Sequence, residues 1–152
     1  MKNVRFGIFV LFVVSALSAA CAGNLPASPT SPSATAAALN LSASQVAGTW
    51  TLTSIQADKG AVQTVPAGAG YTLTFADARV STKADCNVCG GSVTFSGETL
   101  TIGPALACTR AACPTMAFET VYESILGGSS AAKIDGNTLT LTSERGRATF
   151  VR

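Results

Sequence analysis

Histidine is absent from the 152-residue sequence. Ser-His-Asp and Cys-His mechanisms need an imidazole base, and mixed Cys/His zinc sites need an imidazole ligand, so all three are excluded. A phosphate-binding glycine loop is also missing, because the glycines in residues 68–70 lack the flanking strand-to-helix pattern. The sequence therefore predicts a non-enzymatic protein with no catalytic residue, no metal ligand and no cofactor, and thiol–disulfide chemistry is the one enzymatic alternative.

Charged residues are few and nearly balanced. They make up 12% of the sequence, with ten basic and eight acidic side chains. Two of the basic residues, Lys2 and Arg5, precede an apolar run and the small residues 18–20, which is typical of an export signal. Removal of residues 1–20 leaves eight basic and eight acidic residues. The mature chain is therefore neutral, and we expect no nucleic-acid partner.

The apolar run is also short. Residues 6–20 span 15 positions, whereas a membrane-spanning helix needs roughly 20. Cys21 follows directly, as in a bacterial lipobox, although Ser18 stands where leucine is preferred. We interpret residues 1–20 as a signal peptide and Cys21 as the lipid-bearing first residue of the mature chain, acylated with palmitate-type chains. Ordinary cleavage before Cys21, or retention of the run as an anchor, are the alternatives.

The next segment lacks charge altogether. Residues 22–43 consist largely of Ala, Ser, Thr and Pro, a composition that cannot bury enough apolar surface to offset the entropy of ordering. We predict a lipid-anchored disordered tether at residues 21–44 and a folded domain at residues 45–152. The expected location is the bacterial cell envelope, with the membrane as a partner. Ala22 in place of aspartate favours the periplasmic face of the outer membrane if the cell is Gram-negative.

The folded part has a period of two. Leucine and threonine alternate in four segments, residues 49–54, 71–75, 99–102 and 138–142. Such alternation indicates half-buried antiparallel strands, and the first segment places Trp50, Leu52 and Ser54 on one face. One segment instead has helical spacing, with Pro114 near its start. We predict a mainly β (α+β) fold, in which antiparallel strands form a small, partly wrapped barrel-like sheet with one helix near residues 115–127.

Four cysteines remain once Cys21 is set aside: Cys86, Cys89, Cys108 and Cys113. They could form a redox dithiol, a four-cysteine zinc site or two disulfides. A redox pair needs its thiolate at a helix N-terminus, but the first pair leads into a strand. The spacing of the four cysteines is compatible with a zinc site, whereas export to an oxidising compartment favours disulfides.

The segments around these cysteines resemble the META domain family, to which the heat-shock lipoprotein HslJ belongs. The matching motif residues are Cys86, Asn87, Gly91, Ser92, Thr109, Arg110, Ala112, Cys113 and Pro114. The resemblance covers residues 46–151. It departs at Asp85, where glycine is usual, and at Cys89 and Cys108, which are additional to the family pattern.

The resemblance implies both the disulfides and the role. Cys86 and Cys113 stand at the two family positions, so the nested pairs Cys86–Cys113 and Cys89–Cys108 are expected. The implied function is a monomeric, non-enzymatic envelope lipoprotein with a stress or interaction role and a possible envelope protein partner. Two alternatives stay open. One is a small apolar-ligand-binding domain with a pocket lined by Trp50, Tyr71 and Phe95, and the other is a secreted protein inhibitor that presents the Cys86–Cys113 region.

Several polar residues can be interpreted either as structural or as functional residues. Glu119 and Glu123 could form a catalytic carboxylate pair, but their spacing of four is also that of a solvated helix face, which we favour. Lys83 and Asp85 are expected at a surface strand end. Asn87 is expected to hydrogen-bond backbone in a tight turn.

Overall fold

The computed structural model describes residues 40–104 and 106–152 of the chain. The expected signal peptide, Cys21 and most of the expected tether lie outside these residues. Within them, neither helix has the length and apolar character needed to cross a membrane.

The described chain folds into ten strands and two helices. The strands are β1 (Gly48–Ala57), β2 (Val62–Thr64), β3 (Tyr71–Ala76), β4 (Arg79–Ala84), β5 (Asn87–Ser96), β6 (Thr99–Ile102), β7 (Ala107–Cys108), β8 (Gly128–Asp135), β9 (Thr138–Ser143) and β10 (Gly146–Val151). The helices are α1 (Ala43–Val46) and α2 (Met116–Leu126). Leu41 is already buried and donates its N–H to Gly97 O, four residues before the boundary expected at residue 45.

Eight strands close into an antiparallel barrel in the order β1-β3-β4-β5-β6-β8-β9-β10, and β10 pairs back onto β1. The predicted mainly β, barrel-like fold is confirmed, as is the helix near residues 115–127. Pairing of β1 with β10 closes the sheet fully and places Gly146 opposite Ala57. Gly146 has φ +142°, and a Cβ there would overlap Gln56 O, so only glycine fits this close approach.

The barrel interior is filled with apolar side chains, as the alternating pattern requires. The largest fully buried residues are Trp50, Ile55, Tyr71, Leu73, Leu100, Ile102, Tyr122, Ile125, Leu126, Leu139, Leu141 and Phe150. The threonines between the leucines of β9 and β6 are more exposed. The Leu/Thr alternation is therefore the sequence signature of the barrel wall.

Strand β1 departs from strict alternation. The register with β10 shifts between Leu52 and Ser54, which marks a β-bulge. Because the extra residue reverses the alternation, Ile55 points inward (1% exposed) and Ser54 does not. The expectation that Ser54 shares the face of Trp50 and Leu52 is wrong for this reason.

Helix α2 packs its apolar stripe onto the barrel interior. Tyr122 is fully buried, and its hydroxyl lies 2.7 Å from Thr82 Oγ1. The ring of Tyr71 meets those of Phe118 and Tyr122 edge-on, at centroid separations of 5.0 and 5.3 Å. These contacts fix the position of α2, and with it the position of the cysteine-rich segment that leads into the helix.

Candidate functional site

The four described cysteines lie together where β5, β7 and the start of α2 meet. Cys86 is bonded to Cys113, with 5.8 Å between their Cα atoms. Cys89 is bonded to Cys108, which is its direct partner in the β5–β7 register. This is the nested pairing that the family resemblance implies. Residues 109–112, which we call the stapled loop, are thus held by a disulfide on either side.

Asn87 is the hub of this region and is only 2% exposed. Its Nδ2 donates to Ala111 O at 3.0 Å and to Glu119 Oε1 at 2.9 Å, and lies 3.2 Å from Cys113 Sγ. Its Oδ1 accepts from Ala111 N at 2.8 Å and from Thr109 Oγ1 at 2.9 Å. The expected bonding to backbone is present, but it reaches across to the stapled loop instead of closing a local turn.

Glu119 lies on the inner side of α2. The residue is 5% exposed, and its Oε2 has no hydrogen-bond partner among the residues that the structure describes. Burial raises the pKa of the Glu119 carboxyl, an effect that the Asn87 hydrogen bond opposes and the neighbouring Glu123 reinforces. The expectation of a solvated helix face is therefore wrong for Glu119. Phe118, Glu119, Tyr122, Ile125 and Leu126 form one buried stripe, so the helical spacing itself carried a signal that Glu119 faces inward.

Glu123 connects α2 to the stapled loop and to the inner disulfide. Its Oε2 lies 3.1 Å from Arg110 Nη1, and its Oε1 lies 3.4 Å from Cys89 Sγ. The Arg110 side chain is 71% exposed, so this ion pair contributes little to stability. The pair instead sets the orientation of the Glu123 carboxylate.

Asp85 occupies the position where the family usually has glycine, and its backbone conformation shows why glycine suits this position. Its φ is +56°, in the left-handed region that glycine occupies freely and that aspartate tolerates better than most residues. Its Oδ2 accepts a 2.7 Å hydrogen bond from Thr115 Oγ1, which lies 2.8 Å from the Tyr71 hydroxyl. Asp85 thereby ties the end of β4 to the start of α2. Lys83 is exposed, as expected for a surface strand end, whereas Asp85 is half-buried.

The cavities near these residues are small. Asn87, Arg110, Glu119 and Glu123 border a cavity of about 130 Å³, which has room for only a few water molecules. Phe95 borders a cavity of about 30 Å³. Another cavity, of about 490 Å³, lies away from the cysteines and is bordered by Leu41, Lys133, Ile134, Thr140, Arg147 and Arg152, among others.

The remaining motif residues frame the same region. Gly91 lies in β5 opposite Val80, and Pro114 precedes the first turn of α2. Thr109 donates to Asn87, and its Oγ1 accepts from Val88 N at 3.0 Å. The motif segments thus meet at one place, and their side chains bind mainly one another. A model of the META domain matches residues 42–152.

The chain belongs to the META domain family.

Two solved structures with TM-scores above 0.5 share the fold of this META domain. A protein from Burkholderia xenovorans, determined by NMR, superimposes with a TM-score of 0.60 at 24% identity, covering 72% of this chain and 85% of that one. A second NMR structure gives a TM-score of 0.57 at 19% identity, covering 73% and 94%. A lipocalin-like protein from Bacteroides uniformis gives 0.49 at 18% identity, covering 70% and 97%. No curated protein matches the chain.

Proposed function

We propose that this protein is an exported envelope lipoprotein whose META domain is a rigid, non-enzymatic binding module. Its partner is another envelope protein, which contacts the stapled loop and the apolar side chains beside it. An interaction of this kind would serve an envelope-stress role. The observation that carries the proposal is an exposed loop fixed at both ends by covalent and hydrogen bonds.

Rigidity is what makes this loop suited to binding. Residues 109–112 are exposed, yet the Ala111 backbone is fixed by both polar atoms of Asn87. A pre-organised loop loses little conformational entropy when a partner binds, so more of the contact energy appears as affinity. A loop used only to connect β7 and α2 would not need such fixation.

Apolar side chains flank the stapled loop. Val88 and Met116 are 55% and 53% exposed. Val88 O accepts from Thr109 N, and Met116 N donates to Cys113 O, so both residues are attached to the ends of the loop. The two side chains would supply the apolar part of a protein-binding surface that has the polar loop as its rim.

The barrel interior supports this proposal over binding of an apolar molecule. Ligand pockets usually have volumes of about 300–1,000 Å³ and apolar linings. Trp50 and Tyr71 are 0% and 1% exposed in a packed core, and the cavity beside Phe95 is far smaller than that range. The cavity of about 490 Å³ falls within the range, but exposed charged residues such as Lys133, Arg147 and Arg152 border it, and none of the three expected lining residues does. The stapled loop would equally suit an inhibitor of another protein, and the identity of a captured partner distinguishes that role.

Site-specific photo-crosslinking in the producing cell tests the binding surface. A photoreactive amino acid is placed at Val88 or Met116, with Val62 as the matched control because it is 63% exposed but lies on β2. We expect a discrete adduct with one envelope protein from positions 88 and 116, at least fivefold stronger than from position 62. Equal adducts at all three positions, or none at 88 and 116, would contradict the proposal.

A separate variant tests the anchor. Cys21→Ser removes the only proposed acylation site while leaving residues 40–152 unchanged. We expect the parent protein to sediment with membranes and the variant to appear in the soluble exported fraction. Unchanged membrane partition would mean that Cys21 carries no lipid and that the apolar residues 6–20 act as the anchor.

A further inference from the structure

The inner disulfide has a carboxylate beside it. The candidate ligand atoms of Cys89, Cys108 and Glu123 all lie within 4.8 Å of one another. The two cysteines oppose each other on β5 and β7, and Glu123 approaches from α2. Three rigidly placed elements therefore direct two sulfur atoms and one oxygen to a single point.

We propose that reduction of the Cys89–Cys108 disulfide converts this cluster into a binding site for a thiophilic divalent metal ion such as Zn²⁺. The reductant is a dithiol: its two electrons break the S–S bond, its own sulfurs become a disulfide, and its two protons pass to Cys89 and Cys108. Metal binding then releases those two protons, because thiolates are the ligands. In the oxidised protein the sulfurs are bonded to each other and the site does not exist.

The ligand set and its dimensions fit such an ion. Zn²⁺ takes thiolate sulfur at about 2.3 Å and carboxylate oxygen at about 2.0–2.2 Å, so ligand atoms around one ion lie roughly 3–4 Å apart. The two sulfur atoms are bonded to each other and must move apart on reduction, whereas Glu123 Oε1 already lies 3.4 Å from Cys89 Sγ. Cys89 and Cys108 are the two cysteines additional to the family pattern, so the site would be a property of this chain and not of META domains generally.

Arg110 provides the outer support that metal sites use. It holds Glu123 Oε2 at 3.1 Å, which leaves Oε1 directed at Cys89 Sγ. Outer partners of this kind fix the ligand and affect metal affinity. Two thiolates and one carboxylate carry three negative charges, which a divalent ion and the Arg110 guanidinium together neutralise. The covalent Cys86–Cys113 bond is not needed for coordination.

Cd²⁺ titration of the full chain carrying Cys21→Ser tests the proposal, with thiolate-to-cadmium charge-transfer absorbance as the readout. Because dithiols themselves bind Cd²⁺, the reductant is first removed by anaerobic desalting. The reduced protein should then bind one Cd²⁺, and the oxidised protein none. Glu123→Gln should weaken binding at least tenfold, and Cys89→Ser at least a hundredfold. The Cys86→Ala/Cys113→Ala variant, reduced in the same way, should keep the site, which separates it from a four-cysteine site.

Circular dichroism establishes whether the reduced protein is folded. If the reduced protein is unfolded, Cd²⁺ is added while it refolds under a phosphine reductant. Recovery of the strand signal in the parent protein, but not in the Glu123→Gln variant, supports the site. The proposal is overturned by binding that Glu123→Gln leaves unchanged, by equal binding to the oxidised protein, or by no stoichiometric binding and no recovery. The photo-crosslinking result is independent of each of these outcomes.

Discussion

Replacement of Asn87 by leucine is expected to lower the free energy of unfolding by about 3 kcal/mol. Leucine has the same branching and the same number of side-chain heavy atoms, but it cannot bond the Ala111 backbone, the Thr109 hydroxyl or the Glu119 carboxyl. A buried polar group left without a partner costs about 1–3 kcal/mol. The melting temperature should fall by roughly 10–15 °C for a domain of this size.

Asn137→Leu is the matched control for this substitution. Asn137 is exposed in the β8–β9 turn, and surface changes of this kind usually alter stability by less than about 0.5 kcal/mol. Chemical denaturation of both variants gives the comparison. If Asn87→Leu were as stable as Asn137→Leu, Asn87 would not be the hub of the stapled loop.

Reduction of both disulfides should lower the free energy of unfolding by more than the Asn87→Leu substitution does. The bonds span sequence separations of 27 and 19 residues, and each is worth about 3 kcal/mol in the chain-entropy model. Because the loops are nested, their effects overlap, and we expect a combined loss of about 5 kcal/mol. Thermal melts with and without reductant should differ by about 20 °C.

A variant with all four cysteines replaced by alanine is the control for reduction. Its melting temperature should be low and should not respond to the reductant, which excludes an effect of the reagent on the rest of the chain. A shift of less than about 5 °C in the parent protein would mean that the disulfides do not stabilise this domain.

The barrel was predictable because its signal is local. Alternating leucine and threonine fixes which face of each strand is buried, and closed antiparallel sheets satisfy that pattern. The bulge in β1 was not predictable, because Leu52, Ser54 and Ile55 fit either register until β10 pairs with β1. Full closure likewise depends on the approach of Gly146 to Gln56 and Ala57, which are distant in sequence.

The candidate site was predictable only in part. Four cysteines allow three connectivities, and the family positions of Cys86 and Cys113 selected one of them. The polar network around Asn87 was missed, because a spacing of four on a helix suits a solvated carboxylate pair as well as a buried one. The buried stripe of α2 carried a signal that Glu119 faces inward, but its hydrogen bond to Asn87 joins residues that are distant in sequence, and no local pattern records that contact.

Non-reducing peptide mapping of the oxidised protein tests most directly whether both ends of the loop are stapled. Trypsin cleaves after Lys83, Arg110 and Lys133, which places Cys113 on a different peptide from the other three cysteines. Fragment spectra that separate Cys86 from Cys89 should show Cys113 attached through Cys86, with Cys89 closed onto Cys108. A Cys86–Cys89 bond with Cys108 joined to Cys113 would contradict the stapled loop.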